Sequence, residues 1–242
     1  MNKFRVRDFL FVLFVYLAVA FFPLNLFPLS EDIILVIQIG LRVFYLVFLL
    51  IYLNSRGALR VDKFNPLYSF VLIPCFVVCF SNLIVGHFFG TRYINVDFST
   101  FYIDVFFTFL TVACEELVFR LGGFKVFKKQ KPFYRILFTS LIFGAAHLFN
   151  LFSIFGVSVL IQALYTFGIG LILGLMYEYG GNIVLPILFH LSFNVFNNDL
   201  FEKLYIRVPD LDYYVINILA GIFTIVYCLS LYLAIINRKK VE

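Results

Sequence analysis

The sequence predicts an all-α fold, a polytopic bundle of transmembrane helices, and two observations lead to this class. Of the 242 residues, 63% are hydrophobic and only 14% are charged, and the mean hydropathy is +1.00. A water-soluble domain of this length needs more polar surface to cover its core. The apolar residues also come in runs of roughly 18 to 23, the length that crosses the hydrocarbon core of a bilayer.

The chain is predicted to form a single integral membrane domain over residues 1–242, because no polar stretch is long enough to fold alone. The net charge of +5 comes from short basic clusters between apolar runs. Such clusters meet anionic lipid headgroups, so the lipid bilayer is the expected partner and nucleic acid is not. The four cysteines lie in apolar segments without zinc or disulfide spacing: Cys75, Cys79, Cys114 and Cys228.

About eight spans are predicted, approximately at residues 9–29, 32–53, 67–90, 101–121, 134–152, 156–177, 182–198 and 213–236. The first is the weakest, because Pro23 and Pro28 interrupt it. Its basic start and the run Ala18-Val19-Ala20 also fit a cleaved secretory signal peptide. Retention is favoured, because the flanking charges alternate cleanly only if this segment counts as a span.

The distribution of Lys and Arg predicts the orientation in the membrane. Basic residues are abundant at the N-terminus and in residues 56–63, 125–135 and 238–240, whereas the intervening loops are poorer in them. The positive-inside bias therefore places both termini in the cytoplasm, although the loop around Glu178 carries no Lys or Arg and gives no information. The pattern suits a multi-pass protein of a bacterial-type plasma membrane.

Ionisable side chains inside a bilayer are costly and normally face the bundle interior or a cavity. The candidates within the spans or at their ends are Arg42, His87, Asp104, Glu115, Glu116, Arg120, His147, Glu178 and His190. Four of these are given structural interpretations. Arg42 lies mid-span, where it can snorkel or pair with an acid, while His87 and Asp104 lie near span ends and Glu178 lies at a loop.

The pair Glu115-Glu116, followed by Arg120, is the first motif. Arg120 lies four residues after Glu116, in the favourable acid-before-base order, so an ion pair is predicted. Adjacent carboxylates point about 100° apart on a helix and are not expected to share a partner. Glu115 is then left to turn alone toward another surface, where it could act as a general base. The alternative is a buried structural salt bridge with a spare acid.

Two further motifs contain histidine. In Phe143-Gly144-Ala145-Ala146-His147, the small residues permit close helix packing. In His190-Leu191-Ser192-Phe193-Asn194, the first and last residues lie four apart on one helical face. A lone membrane histidine is more often a packing residue than a catalyst, but these motifs lie in spans neighbouring the glutamate pair.

The depths of these groups suggest a shared cavity. Measured from the predicted cytoplasmic ends, Glu115 lies roughly 9 Å deep and His190 about 12 Å deep. His147 and Asn194 lie about 17 to 18 Å deep. All four groups are thus expected in one buried layer, which defines the predicted intramembrane catalytic cavity.

The chemistry of such a cavity follows from its residue types. A glutamate and a histidine can together deprotonate water, and a second histidine with an asparagine can donate hydrogen bonds to an oxyanion. No Gly-x-Ser-x-Gly, Ser-Lys or His-Glu-x-x-His signature is present. Glu and His can ligate zinc, so metal catalysis stays open at this point.

The ordered motifs Glu115-Glu116-x-x-x-Arg120, Phe143-x-x-x-His147 and His190-x-x-x-Asn194 resemble those of the CPBP family. This family comprises type II CAAX prenyl endopeptidases and bacterial relatives, including proteins linked to bacteriocin self-immunity. The glycine-rich approach from Phe167 to His190 is also similar, and the resemblance covers a catalytic core of about residues 108–198.

The resemblance implies an intramembrane glutamate-type endopeptidase that needs no cofactor or metal. Glu115 and His147 would activate water, and His190 and Asn194 would form the oxyanion hole. Glu116 and Arg120 would support the site.

The expected substrate is a membrane-embedded or lipid-anchored peptide, and prenylated substrates are not expected in a bacterial-type membrane. The alternative is a non-proteolytic immunity or peptide-binding protein of the same family. A transporter is disfavoured because the sequence shows no convincing inverted repeat with paired broken helices.

Overall fold

A computed structural model describes residues 4–59, 73–92, 98–152 and 156–207, together with scattered positions between 215 and 234. Within them, the α-helices are α1 (Val6–Ala20), α2 (Glu31–Ser55), α3 (Ser81–Phe89), α4 (Phe101–Glu116), α5 (Gly123–Val126), α6 (Pro132–Ala146), α7 (Val157–Gly180), α8 (Val184–Asn194) and α9 (Leu200–Leu204). Much of the predicted last span, and Cys228, lie outside the described residues.

Tighter or wider helical turns extend several of these helices. Segments of 3₁₀ helix cover Leu24–Leu26, Ile73–Phe80 and His147–Phe152, and π-helical turns cover Leu117–Gly122 and Val195–Asp199. Two short strands, β1 (Thr91–Arg92) and β2 (Tyr205–Arg207), pair antiparallel. The described architecture is therefore mostly helical, as the sequence predicts.

The helix ends follow local sequence signals. Ser30 caps α2, its Oγ accepting a hydrogen bond from the Ile33 amide at 3.5 Å, and Pro132 occupies the first turn of α6. Gly181 ends α7 with a φ of 74°, a left-handed conformation that favours glycine. Helix α1 ends at Ala20, well before the predicted boundary at residue 29, because Pro23 cannot continue a helix.

Among the described residues, three helical stretches are long and apolar enough to cross a membrane: Glu31–Ser55, Pro132–Leu151 and Val157–Gly180. Large apolar side chains such as Phe14, Phe44 and Tyr102 point outward and are more than two-thirds exposed. An exposed apolar surface of this extent needs lipid to cover it. These features identify an all-α membrane protein, while the eight-span arrangement stays a prediction.

Helix α4 lies at the centre of the bundle. It packs against α2 and α8, and α1 contacts both α2 and the π-helical turn that follows α4. Every residue from Val112 to Phe124 is buried. The glutamate pair and Arg120 therefore lie in the longest uninterrupted buried stretch of the described residues.

Helices α6 and α7 pack closely against each other. A Cβ atom added at Gly144 would lie 2.9 Å from the carbonyl oxygen of Ala163, and one at Gly170 would lie 3.0 Å from Cβ of Ser140. Glycine at these two positions lets the backbones approach, as small residues do between membrane helices. His147 follows directly after this contact.

Candidate active site

The glutamate pair ends helix α4, and both carboxylates are buried. Arg120 Nε lies 3.0 Å from Glu116 Oε2, and both side chains are fully shielded from solvent. The ion pair predicted from their spacing is therefore present, although its angle does not satisfy hydrogen-bond geometry. The guanidinium also lies over the Phe143 ring, 5.0 Å from its centroid. This cluster ties the end of α4 to α6.

His190, on α8, contacts both glutamates. Its Nδ1 lies 2.9 Å from Glu116 Oε1, and its Nε2 lies 3.6 Å from Glu115 Oε2. The expectation that adjacent carboxylates cannot share a partner is thus wrong here. The two nitrogens of an imidazole lie on different edges of the ring, so one histidine can reach two carboxylates that diverge along a helix.

Glu115 has a second close neighbour that sequence reasoning missed. The hydroxyl of Tyr16, on α1, donates a hydrogen bond to Glu115 Oε1, and the Tyr16 side chain is buried. The sequence suggested that Glu115 has no partner; in the structure it has this one. Tyr16 lies 99 positions from Glu115 in the chain, and nothing in an apolar first helix distinguishes this tyrosine from a packing residue.

His147 begins the 3₁₀ turn at the end of α6. Its Nδ1 lies 3.0 Å from the Phe143 carbonyl oxygen. A carbonyl can only accept, so Nδ1 carries the proton in this contact, and in the neutral ring Nε2 is left with a lone pair. The Phe143 ring packs edge-on against both His147 and His190, with centroid distances of 5.0 and 5.6 Å. Phe143 thus fixes the spacing of the two imidazoles.

A cavity of about 230 Å³ brings the predicted groups together. Its lining includes Glu115, His147, His190 and Asn194, joined by further polar side chains from the same and from other helical segments: Tyr16, Arg42, Thr111, Asn150, Gln162, Thr166 and Asn198. A water molecule occupies about 30 Å³ in the liquid, so the cavity has room for a water molecule beside a peptide group. Glu116 and Arg120 lie behind this lining.

The ionisable residues given structural interpretations divide into two groups. Glu178 pairs with Arg135 at 2.5 Å, and it lies inside α7 rather than in a loop. Asp104 pairs with Lys203 at 3.2 Å, and His87 contacts Arg92. Arg42 differs, since it lines the cavity itself. Its membrane-embedded charge was a usable signal, which the sequence interpretation assigned to snorkelling or to pairing with an acid.

Within the described part of the chain, no group of three or more His, Cys, Asp or Glu side chains has an arrangement suited to a metal ion. The chemistry available at the cavity is that of buried carboxylates, imidazoles and amides. Such groups can transfer protons and donate hydrogen bonds to a developing negative charge.

The fold and site define a helical membrane protein with a buried carboxylate–histidine centre. Residues 97–196 match the family model described as "Type II CAAX prenyl endopeptidase Rce1-like", a family of membrane proteases, in agreement with the resemblance carried by the three motifs. The matched segment contains every residue of the three motifs, whereas Tyr16 and Arg42 lie outside it. No match was found among the curated proteins or the solved structures.

Proposed function

We propose that this protein is an intramembrane endopeptidase that hydrolyses a peptide bond in a membrane-embedded or lipid-anchored peptide. The observation that carries the proposal is the cavity, in which Glu115, His147, His190 and Asn194 converge although they come from three different helical segments. The match to a protease family supports the same reaction class.

In the proposed reaction, a water molecule lies between Glu115 and His147. Glu115 accepts a proton from this water, while the lone pair on Nε2 of His147 accepts a hydrogen bond from the second O–H group of the water. The hydroxide oxygen attacks the scissile carbonyl carbon and forms a tetrahedral oxyanion. Transfer of the abstracted proton to the amide nitrogen breaks the C–N bond and releases an amine and a carboxylic acid, so the step needs no further reactant.

His190 and Asn194 stabilise the oxyanion in this proposal. They lie one helical turn apart on α8, and both line the cavity. The contact of Nδ1 with Glu116 anchors the ring, and Nε2 donates when both ring nitrogens are protonated. Fixed donors in a site shielded from water stabilise such a charge by several kcal/mol.

The supporting cluster explains why two consecutive glutamates are useful. Glu116 is occupied by Arg120 and by His190 Nδ1. It therefore orients the imidazole, while Glu115 keeps its contact with the cavity. The bacterial-type plasma membrane and the cytoplasmic position of both termini remain part of the proposal and rest on the positions of the basic residues.

Substrate trapping tests the proposal. Tagged Glu115→Gln protein is expressed in the native membrane and purified in mild detergent, and the peptides that copurify are identified by mass spectrometry. We expect the captured peptide to be cut by the wild-type protein and to remain intact with Glu115→Gln. A peptide that is bound but never cut would instead support the non-proteolytic immunity or peptide-binding function.

A chelator series on the same captured peptide tests metal dependence. Hydrolysis by glutamate-activated water should continue at a similar rate in EDTA or 1,10-phenanthroline. Loss of cleavage on chelation, and its return on adding zinc, would show that the reaction requires a metal.

A further inference from the structure

One charged side chain of the cavity has no role in the proposed reaction. Arg42 lies in the middle of α2, only 8% of its surface is exposed, and it lines the same cavity as Glu115. It belongs to neither the matched segment nor the three motifs.

The guanidinium of Arg42 is held by neutral groups. Its Nε donates to Thr111 Oγ1 at 2.9 Å, and Nη1 donates to the Gln38 carbonyl at 3.3 Å. The Thr111 hydroxyl donates in turn to the Phe107 carbonyl at 3.1 Å, which leaves its oxygen as the acceptor for Arg42. The Phe107 ring centroid lies 4.2 Å from the guanidinium carbon. These contacts fix the orientation of Arg42 without neutralising it.

The other buried or half-buried arginines of the bundle behave differently. Among the described residues, Arg56, Arg120 and Arg135 have carboxylates at 3.6, 3.0 and 2.5 Å, whereas none lies within 4.0 Å of Arg42. A cation without an adjacent anion is costly at this position in a membrane protein. An oriented cation that faces a cavity is suited to an anionic ligand group.

We infer that Arg42 binds a carboxylate of the substrate peptide, an inference that rests on the proposed function. Thr111, which holds Arg42, precedes Glu115 by one helical turn, a rise of about 6 Å. An extended peptide covers this distance in about two residues. The carboxylate therefore lies about two residues from the scissile bond, and it belongs either to the C-terminus of the substrate or to an Asp or Glu side chain.

Matched peptides separate these two sources. N-acylated apolar peptides are made in pairs that differ only in a C-terminal carboxylate or carboxamide. A second set carries the carboxamide and has Glu or Gln at one internal position. Binding is measured with full-length Glu115→Gln protein in phosphatidylcholine vesicles, which carry no net charge, and cleavage is measured with the protein that retains Glu115.

We expect carboxylate-bearing peptides of one set to bind at least tenfold more tightly than their neutral partners. The set that shows the preference identifies the source of the carboxylate. Adding Arg42→Gln should reduce the ratio to below about twofold, and Arg42→Lys should keep part of it because the charge remains. Arg92→Gln makes the same chemical change on an exposed strand that does not line the cavity and should leave the ratio unchanged.

Folding is checked by the thermal midpoint of each variant. Arg42→Gln breaks no ion pair among the described residues, so we expect the thermal midpoint of this variant to remain close to that of the parent protein. Equal binding of charged and neutral peptides by the parent, or an unchanged ratio in Arg42→Gln, would overturn the inference. A preserved binding ratio with no peptide cleaved by the wild-type protein would instead contradict the proposed function and leave the carboxylate site standing.

Discussion

Among single residues, Glu115 has surroundings that differ from those of its neighbour Glu116. Glu116 faces a guanidinium and an imidazole in a fully buried cluster. Glu115 faces the cavity, with the Tyr16 hydroxyl on one oxygen and the imidazole of His190 3.6 Å from the other. In the proposed reaction these two chemically identical side chains take different parts: Glu116 supports the site and Glu115 meets the substrate.

We propose that Tyr16 is a positioning residue, because its hydroxyl donates to Glu115 and would act through it. We expect Tyr16→Phe to lower kcat by about tenfold to a hundredfold with little change in KM, since a hydrogen bond to a charged group contributes about 1.5 to 3 kcal/mol. Steady-state cleavage of the captured peptide measures this split.

Tyr45→Phe is the matched control for Tyr16→Phe. The buried Tyr45 hydroxyl donates to the Val12 carbonyl at 2.6 Å and not to a carboxylate. Its loss should lower stability by about 1 kcal/mol and leave kcat within about twofold. Equal effects of the two variants on kcat would show that Tyr16 serves packing alone.

The sequence could predict those site residues that lie close together along the chain and share one face of a helix. Glu116 and Arg120 meet because they are four apart on one helix, and His190 and Asn194 share a helical face for the same reason. Tyr16 and Arg42 could not be assigned in this way. Their partners lie on helices far away in the chain, and only the tertiary packing of α1 and α2 against α4 brings them to the cavity.

At the scale of elements, the predicted helix boundaries were accurate where capping residues mark them and inaccurate where a helix-breaking residue was given too little weight. Helix α2 spans Glu31–Ser55, and the prediction was 32–53. The start was predicted to within one residue because Ser30 and two acidic residues mark it. The first span was predicted too long because apolar content outweighed Pro23. The π-helical turn that contains Arg120 was not predicted, because the sequence pattern there is that of an ordinary apolar span.

The close packing of α6 on α7 gives an element-scale prediction. Gly144→Ala would place a methyl group 2.9 Å from the Ala163 carbonyl oxygen, so the helices must separate. We expect a loss of about 1 to 3 kcal/mol in the free energy of unfolding and reduced cleavage, since His147 lies three residues further on. Thermal unfolding in detergent measures the first effect.

Gly40→Ala is the control, because a Cβ atom at this position in α2 meets nothing within 4 Å. It should be neutral or stabilising by up to about 1 kcal/mol, from helix propensity alone. A Gly144→Ala protein as stable and active as Gly40→Ala would contradict the role given to this contact.

At the scale of the whole molecule, a polar cluster follows the predicted span 182–198, which contains the motif from His190 to Asn194. Asp199 Oδ2 accepts from Thr108 Oγ1 at 2.8 Å, and Lys203 bridges Asp104 and Thr100 at 3.2 and 2.6 Å. These contacts join the start of α4 to the region after α8. Burial raises the pKa of Asp199 to about 6; Asp104 and Glu202 add to the rise, and the Thr108 hydrogen bond and Lys203 oppose it.

This raised pKa makes stability depend on pH. The folded protein binds the Asp199 proton more tightly than the unfolded chain does, so stability is highest below the ordinary carboxyl pKa of 3.8 and falls as the pH rises toward about 6. We expect the thermal midpoint of the wild-type protein to drop more between about pH 4 and pH 7 than that of Asp199→Asn. Equal drops would contradict this assignment.

The central claim is that Glu115 activates the water that cuts the substrate inside the membrane. The direct measurement is the cleavage rate of the captured peptide by reconstituted wild-type, Glu115→Gln and Glu178→Gln proteins. Glu178 is a matched control because it pairs with Arg135 away from the cavity lining. We predict that Glu115→Gln lowers the rate by about 10²- to 10⁴-fold while Glu178→Gln stays near wild type. A folded Glu115→Gln protein that cleaves at the wild-type rate would contradict the claim.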